Sequence, residues 1–416
     1  MVSMVLRSTL GLGLLLLALA STTVQAADGK APLQIVVSKD KQSLVVYDGD
    51  TVVATSKVSS GKRGHETPTG IFSILEKSRY HESNIYSNAP MPFMQRLTWS
   101  GIALHASNSV PAHPASHGCV RLPNAFAKTL FKLTERGLHV VISDRQIAPQ
   151  AVSHPFLFQP SAPEQQLLSD ATLRPAMSQV ASGAVEVAMS EPPPPPPAAP
   201  AVRADDTRAP IRILITRRGP RELALDAQAA LNTLGYDAGV PDGALGSRSI
   251  AAIRAFELAE GREPKGRLTP DLVDALFRKA NLPPPANGQL LVRRDFTPLF
   301  EAPVTIAEPD VALGAHFYQF QDIDAATGKG SWFSLSLDNT IPKGMKARLG
   351  ITVDDDALAY NAATRVLDRI QMTDALREKV EDLLAPGSSL TVSDMGLGPE
   401  TGRGTDFVTV THPAKG

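Results

Sequence analysis

The sequence predicts a multidomain protein: a mainly β first domain, a compact three-helix module, and a C-terminal α+β domain. Three observations carry that expectation. Short β-branched runs crowd residues 33–144, a stretch rich in Ser, Ala, Gln and Pro interrupts the chain at 151–210, and helical apolar spacing dominates at 222–280. With 416 residues, 43% of them hydrophobic, the chain has room for several domains that each bury a core.

At the N-terminus, Arg7 precedes the apolar run Leu10 to Ala20, and Val24-Gln25-Ala26 supplies small residues at cleavage spacing. Residues 1–26 read as a secretory signal peptide, which places the mature chain in the periplasm; a retained anchor is the alternative reading. No later stretch reaches the ~18 apolar residues of a membrane helix, so no stable membrane span is expected. Lys plus Arg at 41 nearly balance Asp plus Glu at 42, which leaves no basic field for nucleic acid.

In the first domain, Gln34 to Val37 and Leu44 to Tyr47 read as strands, and Asp48-Gly49 ahead of Val52-Val53-Ala54 reads as a hairpin turn. Gly61, Gly64 and Thr67-Pro68-Thr69-Gly70 are turn chemistry opening the strand Ile71 to Ile74. Asn124 is placed to cap a helix burying Phe126, Leu130 and Leu133, ahead of the strand His139 to Ile142. The stretch 151–210 culminates in six prolines, Pro192 to Pro197, and reads as a polyproline-type spacer without packed structure; an SH3-type ligand is the rival reading.

The helical module keeps its apolar spacing through Leu223, Ala227, Leu231 and Leu234, then Ile250, Ile253 and Phe256 after Ser247, then Leu272 and Leu276 after Thr269-Pro270. Gln228 and Leu231, Leu234-Gly235-Tyr236, Asp242-Gly243 and Leu245-Gly246 lie in an order that resembles the three-helix peptidoglycan-binding module. The resemblance implies a glycan or peptide-stem ligand, although Glu257 stands where that family commonly has Gln. A helical spacer without a ligand is the bland alternative.

The chemistry is concentrated in Leu104-His105-Ala106-Ser107-Asn108 and Ser116-His117-Gly118-Cys119-Val120-Arg121. Cys119 is the only cysteine, and a lone thiol in an exported chain calls for a reason. A free thiol of pKa ~8.5 is only about 3% thiolate at pH 7, so a nearby imidazolium would activate it strongly. His105 and His117 are the candidates, and Gly118 permits close backbone approach and N–H donation to an oxyanion. Cys, His and a glycine turn point to acyl transfer. Zinc is the rival for His105, His113, His117 and Cys119, but Pro111, Pro114 and Gly118 preclude a helix presenting His113 and His117 on one face. No metal and no other cofactor is expected, and His113 reads as a loop residue.

These blocks, with the Thr-Pro-Thr-Gly turn, resemble the L,D-transpeptidases with a YkuD-type catalytic domain, over about residues 33–144. The resemblance implies a thioester mechanism. The Cys119 thiolate attacks the carbonyl before the terminal D-alanine of a peptidoglycan tetrapeptide stem, D-alanine leaves, and an amine resolves the thioester. It implies His105 as base and Ser116, His117 and Gly118 as the shaping and oxyanion segment, to which the Cys119 N–H also contributes. Ser116 and Arg121 fall on the substrate side, Arg121 holding a carboxylate. The acceptor stays open: a stem amine, water as in a carboxypeptidase or amidase, or a lysine of an outer-membrane protein. An inactive wall-binding scaffold is the alternative from another class.

The C-terminal segment, 287–412, reads as a degenerate copy of the first domain. Leu290 to Asp295 followed by Ala302 to Ile306 parallels Leu44 to Gly49 followed by Ser56 to Ser59, and Gly314 to Phe317 falls where Gly70 to Phe72 stood. A helix through Leu376, Val380 and Leu383 leads into Ser389 to Asp394, as the earlier helix led into Leu138 to Asp144. The segment has no cysteine, which excludes the same chemistry; an unrelated α/β domain is the alternative.

Overall fold

The computed structural model describes residues 32–83, 88–160, 209–324, 327–357, 359–402 and 404–412. The expected signal peptide and most of the expected Pro-rich spacer lie outside the described residues. No described helix is long and apolar enough to cross a membrane.

The first domain begins with β1 (Gln34–Ser38), β2 (Ser43–Asp48) and β3 (Thr51–Lys57). Asp48 pairs with Thr51, so Gly49 and Asp50 form the two-residue turn, with Gly49 at φ +58 as the primed turn requires. Next come β4 (Thr69–Ser73), β5 (Glu76–Ser78), β6 (Met94–Arg96), β7 (Ala103–Ala106), β8 (Val120–Leu122), α1 (Asn124–Leu133), β9 (His139–Ser143) and β10 (Gln150–Val152). Asn124 is not the cap of α1. Pro123 holds that position, and the Asn124 amide donates to Asn108 Oδ1 at 2.7 Å instead.

The second region starts with β11 (Ile211–Arg217), then α2 (Pro220–Thr233), α3 (Ser247–Ala259) and α4 (Pro270–Lys279). Thr269 caps α4 by accepting from Leu272 N–H, and Pro270 occupies the first turn, where its missing N–H costs nothing. Gly246, not Ser247, precedes α3. The three helices enclose their own core of Leu231, Ile253, Phe256, Leu272 and Leu276. The chain continues through β12 (Gly288–Arg294), β13 (Thr297–Ile306), β14 (Ala315–Ile323), β15 (Gly330–Leu337), α5 (Lys343–Leu349), α6 (Ala362–Asp368), β16 (Ile370–Gln371), α7 (Asp374–Glu381), β17 (Ser389–Ser393) and β18 (Thr409–His412).

Among the described residues three sheets result: six strands in the order β18-β4-β9-β1-β2-β3, eight as β10-β15-β14-β17-β11-β12-β13-β16, and four as β5-β6-β7-β8. The pairing β4-β9-β1-β2-β3, parallel only between β1 and β9, recurs as β14-β17-β11-β12-β13, parallel only between β11 and β17. Leu44 faces Val37 as Leu290 faces Ile215, the correspondence expected from sequence. Two details differ from expectation. The second sheet takes its central strand from 211–217, ahead of the helical module and outside 287–412. And His316, not Gly314, occupies the position of Gly70, since it faces Val392 as Gly70 faces Ile142.

Period-two burial explains the layering. Ile35, Val37, Leu44, Val46, Phe72, Val140 and Ile142 turn one face of the six-stranded sheet toward α1 and the small sheet. The alternate residues Val36, Tyr47, Ile71 and Val141 meet Ala315, Phe317, Leu335 and Leu337 of the eight-stranded sheet. The segments after β9 and β17 are exchanged. Strand β10 adds to β15, with Phe156, Leu157 and Phe158 in the second core, so the expected spacer begins later than residue 151. Strand β18 adds to β4, with Val408 in the first core, so the end of the 287–412 segment completes the first sheet.

Candidate functional site

Strands β7 and β8 pair in parallel, setting His105 opposite Arg121. Cys119 is the residue just before β8. All three line one pocket of about 390 Å³. The block from Ser116 to Arg121 is held from its other side by the segment after β3. Ser59 and Arg121 exchange backbone hydrogen bonds at 3.1 and 3.0 Å, Ser116 N–H donates to Ser60 C=O at 3.0 Å, and Lys62 N–H donates to Ser116 C=O at 3.0 Å.

The turn before Cys119 is made by Gly118 at φ +112, a region that disfavours side chains, and an added Cβ there would also meet Ile102 Cδ1 at 2.9 Å. Thr67 Oγ1 donates to Gly118 C=O at 2.7 Å and accepts from Gly61 N–H at 2.8 Å, which ties the Thr-Pro-Thr-Gly turn to the cysteine block. Ser116 is buried, and its hydroxyl donates to Cys119 C=O while accepting from Gly118 N–H at 3.2 Å. The Gly118 N–H is thus engaged with Ser116 Oγ, and the Ser116 hydroxyl fastens the turn that carries Cys119 while the residue also lines the pocket.

His105 is buried, and its Nδ1–H is assigned as donor to Ala106 C=O at 2.8 Å, which leaves Nε2 as the free lone pair. Burial, reinforced by the Arg121 charge, pulls its pKa down to about 4 against the opposing pull of the Ala106 carbonyl. Cys119 is half-buried against Met91, Met94 and Ala103, and its Sγ–H donates to Gly101 C=O at 3.3 Å. Burial pushes the thiol up, opposed by the Ala103 N–H and by the Arg96 and Arg121 charges. Burial thus acts on both groups in the same sense, favouring the neutral imidazole and the neutral thiol over a charged pair.

His117 lies exposed on the pocket rim, its ring 4.8 Å from that of His65, and partial burial followed by the Lys62 charge lowers its pKa. His113 is an exposed loop residue whose carbonyl accepts from Ser59 Oγ at 2.8 Å. Among the described residues, no group of three or more His, Cys, Asp or Glu side chains is arranged to hold a metal ion. Sequence reasoning missed Arg96 and Gly101, which line the pocket, and the role of Thr67. Thr67 carried a signal as part of a turn; the other two carried none, because their proximity to Cys119 arises from the β6–β7 hairpin.

Residues 32–142 match the family model of the L,D-transpeptidase catalytic domain, YkuD. Residues 221–276 match that of a putative peptidoglycan binding domain. The chain thus carries a YkuD-type catalytic domain together with a peptidoglycan-binding-type helical module. Among solved structures it is similar to an L,D-transpeptidase from Mycobacterium smegmatis at 22% identity, covering 27% of this chain and 59% of that one, TM-score 0.26. It is also similar to one from Stackebrandtia nassauensis at 25% identity, covering 30% and 62%, TM-score 0.26. A third, from Xylanimonas cellulosilytica, is 27% identical over 28% and 62%, TM-score 0.25. The chain therefore spans about three fifths of the length of these relatives. No curated protein matches it.

Proposed function

We propose that this chain is an exported L,D-transpeptidase that remodels peptidoglycan in the periplasm, with Cys119 as nucleophile and His105 as base. The observation that carries this reading is the convergence of Cys119, His105 and Arg121 on one pocket. Arg121 orients a stem carboxylate through its planar fork. As Cys119 Sγ attacks the carbonyl before the terminal D-alanine, its proton passes to His105 Nε2, and the oxyanion meets the Cys119 N–H. Collapse of that intermediate breaks the C–N bond, and the imidazolium returns the proton to the departing D-alanine amine. The acceptor amine then attacks the thioester, giving up its proton to His105, and the amide forms as the thiol is restored. Incubation with purified tetrapeptide dimers, read by mass spectrometry, tests this. A product lacking D-alanine and carrying a new amide supports transpeptidation, a stem that only loses D-alanine means water is the acceptor, and unchanged substrate favours the scaffold.

His105 must be neutral to act as a base. With its pKa near 4, acylation by a carbapenem is expected to run level from about pH 5.5 to 8.5, with its acid limb near 4 instead of 6.5. His105→Ala is expected to slow acylation ~100-fold and His113→Ala less than about twofold. An acid limb at 6.5, or equal losses in the two variants, contradicts the assignment.

The helical module is a guest in a hairpin, since Arg217 and Gly288 face each other across β11 and β12. Replacing residues 218–287 with Asn-Gly therefore closes the hairpin with a two-residue turn. The shortened protein is expected to keep its acylation rate and to lose retention on insoluble sacculi. Unchanged pull-down would mark the module as a spacer.

A further inference from the structure

We infer that Glu400, far from the catalytic block in sequence, is a positioning residue for the Cys119 sulfur, acting through the β6–β7 turn. The inference deepens the proposed function and rests on it. Residues 97–102 form that turn, closed by Leu97 N–H to Ile102 C=O at 2.8 Å and Gly101 N–H to Thr98 C=O at 3.3 Å, with Gly101 at φ +112. The turn reaches the sulfur directly: the Gly101 carbonyl accepts the thiol proton at 3.3 Å, and Ala103, at the start of β7, belongs to the apolar cluster packed against Cys119. A turn of this kind is exposed at its tip, where Trp99 is 51% accessible. The carboxylate of Glu400 caps it: Oε2 accepts from Trp99 N–H at 3.0 Å and from Ser100 N–H at 3.4 Å.

Glu400 is in turn fixed by the second sheet. The Arg293 guanidinium on β12 donates to Gly402 C=O at 3.0 Å and Thr405 C=O at 2.8 Å, and lies 5.0 Å from the Phe407 ring centroid. Thr401 Oγ1 accepts from Val408 N–H at 3.0 Å, closing the loop on itself. The segment continues into β18, whose Thr409 carbonyl lies 2.1 Å from where a Cβ on Gly70 would stand. Gly70 ends the same turn whose Thr67 holds Gly118. The C-terminal segment thus caps the turn on the Gly101 side and borders, at Gly70, the turn whose Thr67 holds Gly118; residues 32–142 alone lack the Glu400 cap. Misplacement of a reacting atom by even 1 Å costs up to ~100-fold in rate.

The test compares Glu400→Ala and Glu400→Gln in the full chain. Glu400→Ala is expected to lower the maximal rate of carbapenem acylation about tenfold, with the half-saturating concentration unchanged. Glu400→Gln keeps an acceptor oxygen and is expected to restore the rate to within about twofold of wild type. Wild-type rates in Glu400→Ala, or equal losses in the two variants, would overturn the inference. The pH profile of iodoacetamide alkylation of Cys119 reads the sulfur without invoking transpeptidation. It is expected to shift in Glu400→Ala and to match wild type in Glu400→Gln, and an unshifted Glu400→Ala profile also overturns the inference. If the wild-type chain fails to acylate while these alkylation shifts appear, the proposed function falls and the positioning role stands.

Discussion

Cys119→Ala is expected to lower turnover by ~10⁴-fold or more while leaving the protein folded. The mechanism has no second nucleophile, since Cys119 is the chain's only cysteine and neither His105 nor Arg121 can form the thioester. The structural cost is small. The side chain is half-buried beside Met91, Met94 and Ala103, so loss of one sulfur forfeits about 1 kcal/mol. Its hydrogen bond to Gly101 is made to a backbone carbonyl that remains in place. The measurement is release of D-alanine from tetrapeptide stems alongside a thermal melt. Retained turnover would sink the thiol mechanism, and a collapsed melt would mean that Cys119 holds the fold.

The largest expected effect on stability falls on Asp406, which no catalytic reasoning singles out. Its Oδ2 accepts from Ser73 Oγ at 2.9 Å and Arg212 Nε at 3.0 Å, and its Oδ1 accepts from Phe407 N–H at 2.9 Å. Arg212 also donates to Gly137 C=O at 2.8 Å and to Gly387 C=O, so one buried ion pair ties β4 and the α1–β9 loop to β11 and the α7–β17 loop. Asp406→Ala leaves the guanidinium buried without its counter-ion, at a cost of about 3–5 kcal/mol. Removing both charges, as in Arg212→Met with Asp406→Leu, is expected to cost less than the single change, because no uncompensated charge remains. Denaturant midpoints of the two variants check this. A single-variant loss below about 1 kcal/mol would show that the pair is dispensable.

The second sheet shares the strand pairing of the first but differs in what surrounds it. At the position of Gly70 it has His316, fully buried, with Nδ1 2.8 Å from Ser336 Oγ and Nε2 3.3 Å from Asp355. On that side the sheet extends through β15, whereas the first sheet accepts β18. Arg217 and Arg369 fill the neighbouring region, donating to the carbonyls of Pro309, Val311, Ala307, Ala312 and Glu308.

What the sequence by itself determined was local or patterned. The hairpin at Asp48-Gly49, the Thr269-Pro270 start of α4 and the alternation along β1, β2 and β9 follow from turn chemistry and period-two burial, which a few neighbouring residues specify. Cys119, His105 and Arg121 were legible because they sit in two short blocks of unusual composition. The like strand register of Leu44 and Leu290 was legible from a similar apolar pattern around each. Tertiary structure alone decided the rest. Ile211 to Thr216 has a strand's composition, but its partners lie beyond the helical module, and nothing local names them. The lowered pKa of His105 and the raised one of Cys119 reflect burial, which depends on what the chain folds over them. The exchange of β10 and β18, and the reach of Glu400 to the turn beside the sulfur, are contacts between residues remote in sequence. A hydrogen bond of that kind has no periodicity to betray it, because its partners are brought together only once both sheets have formed.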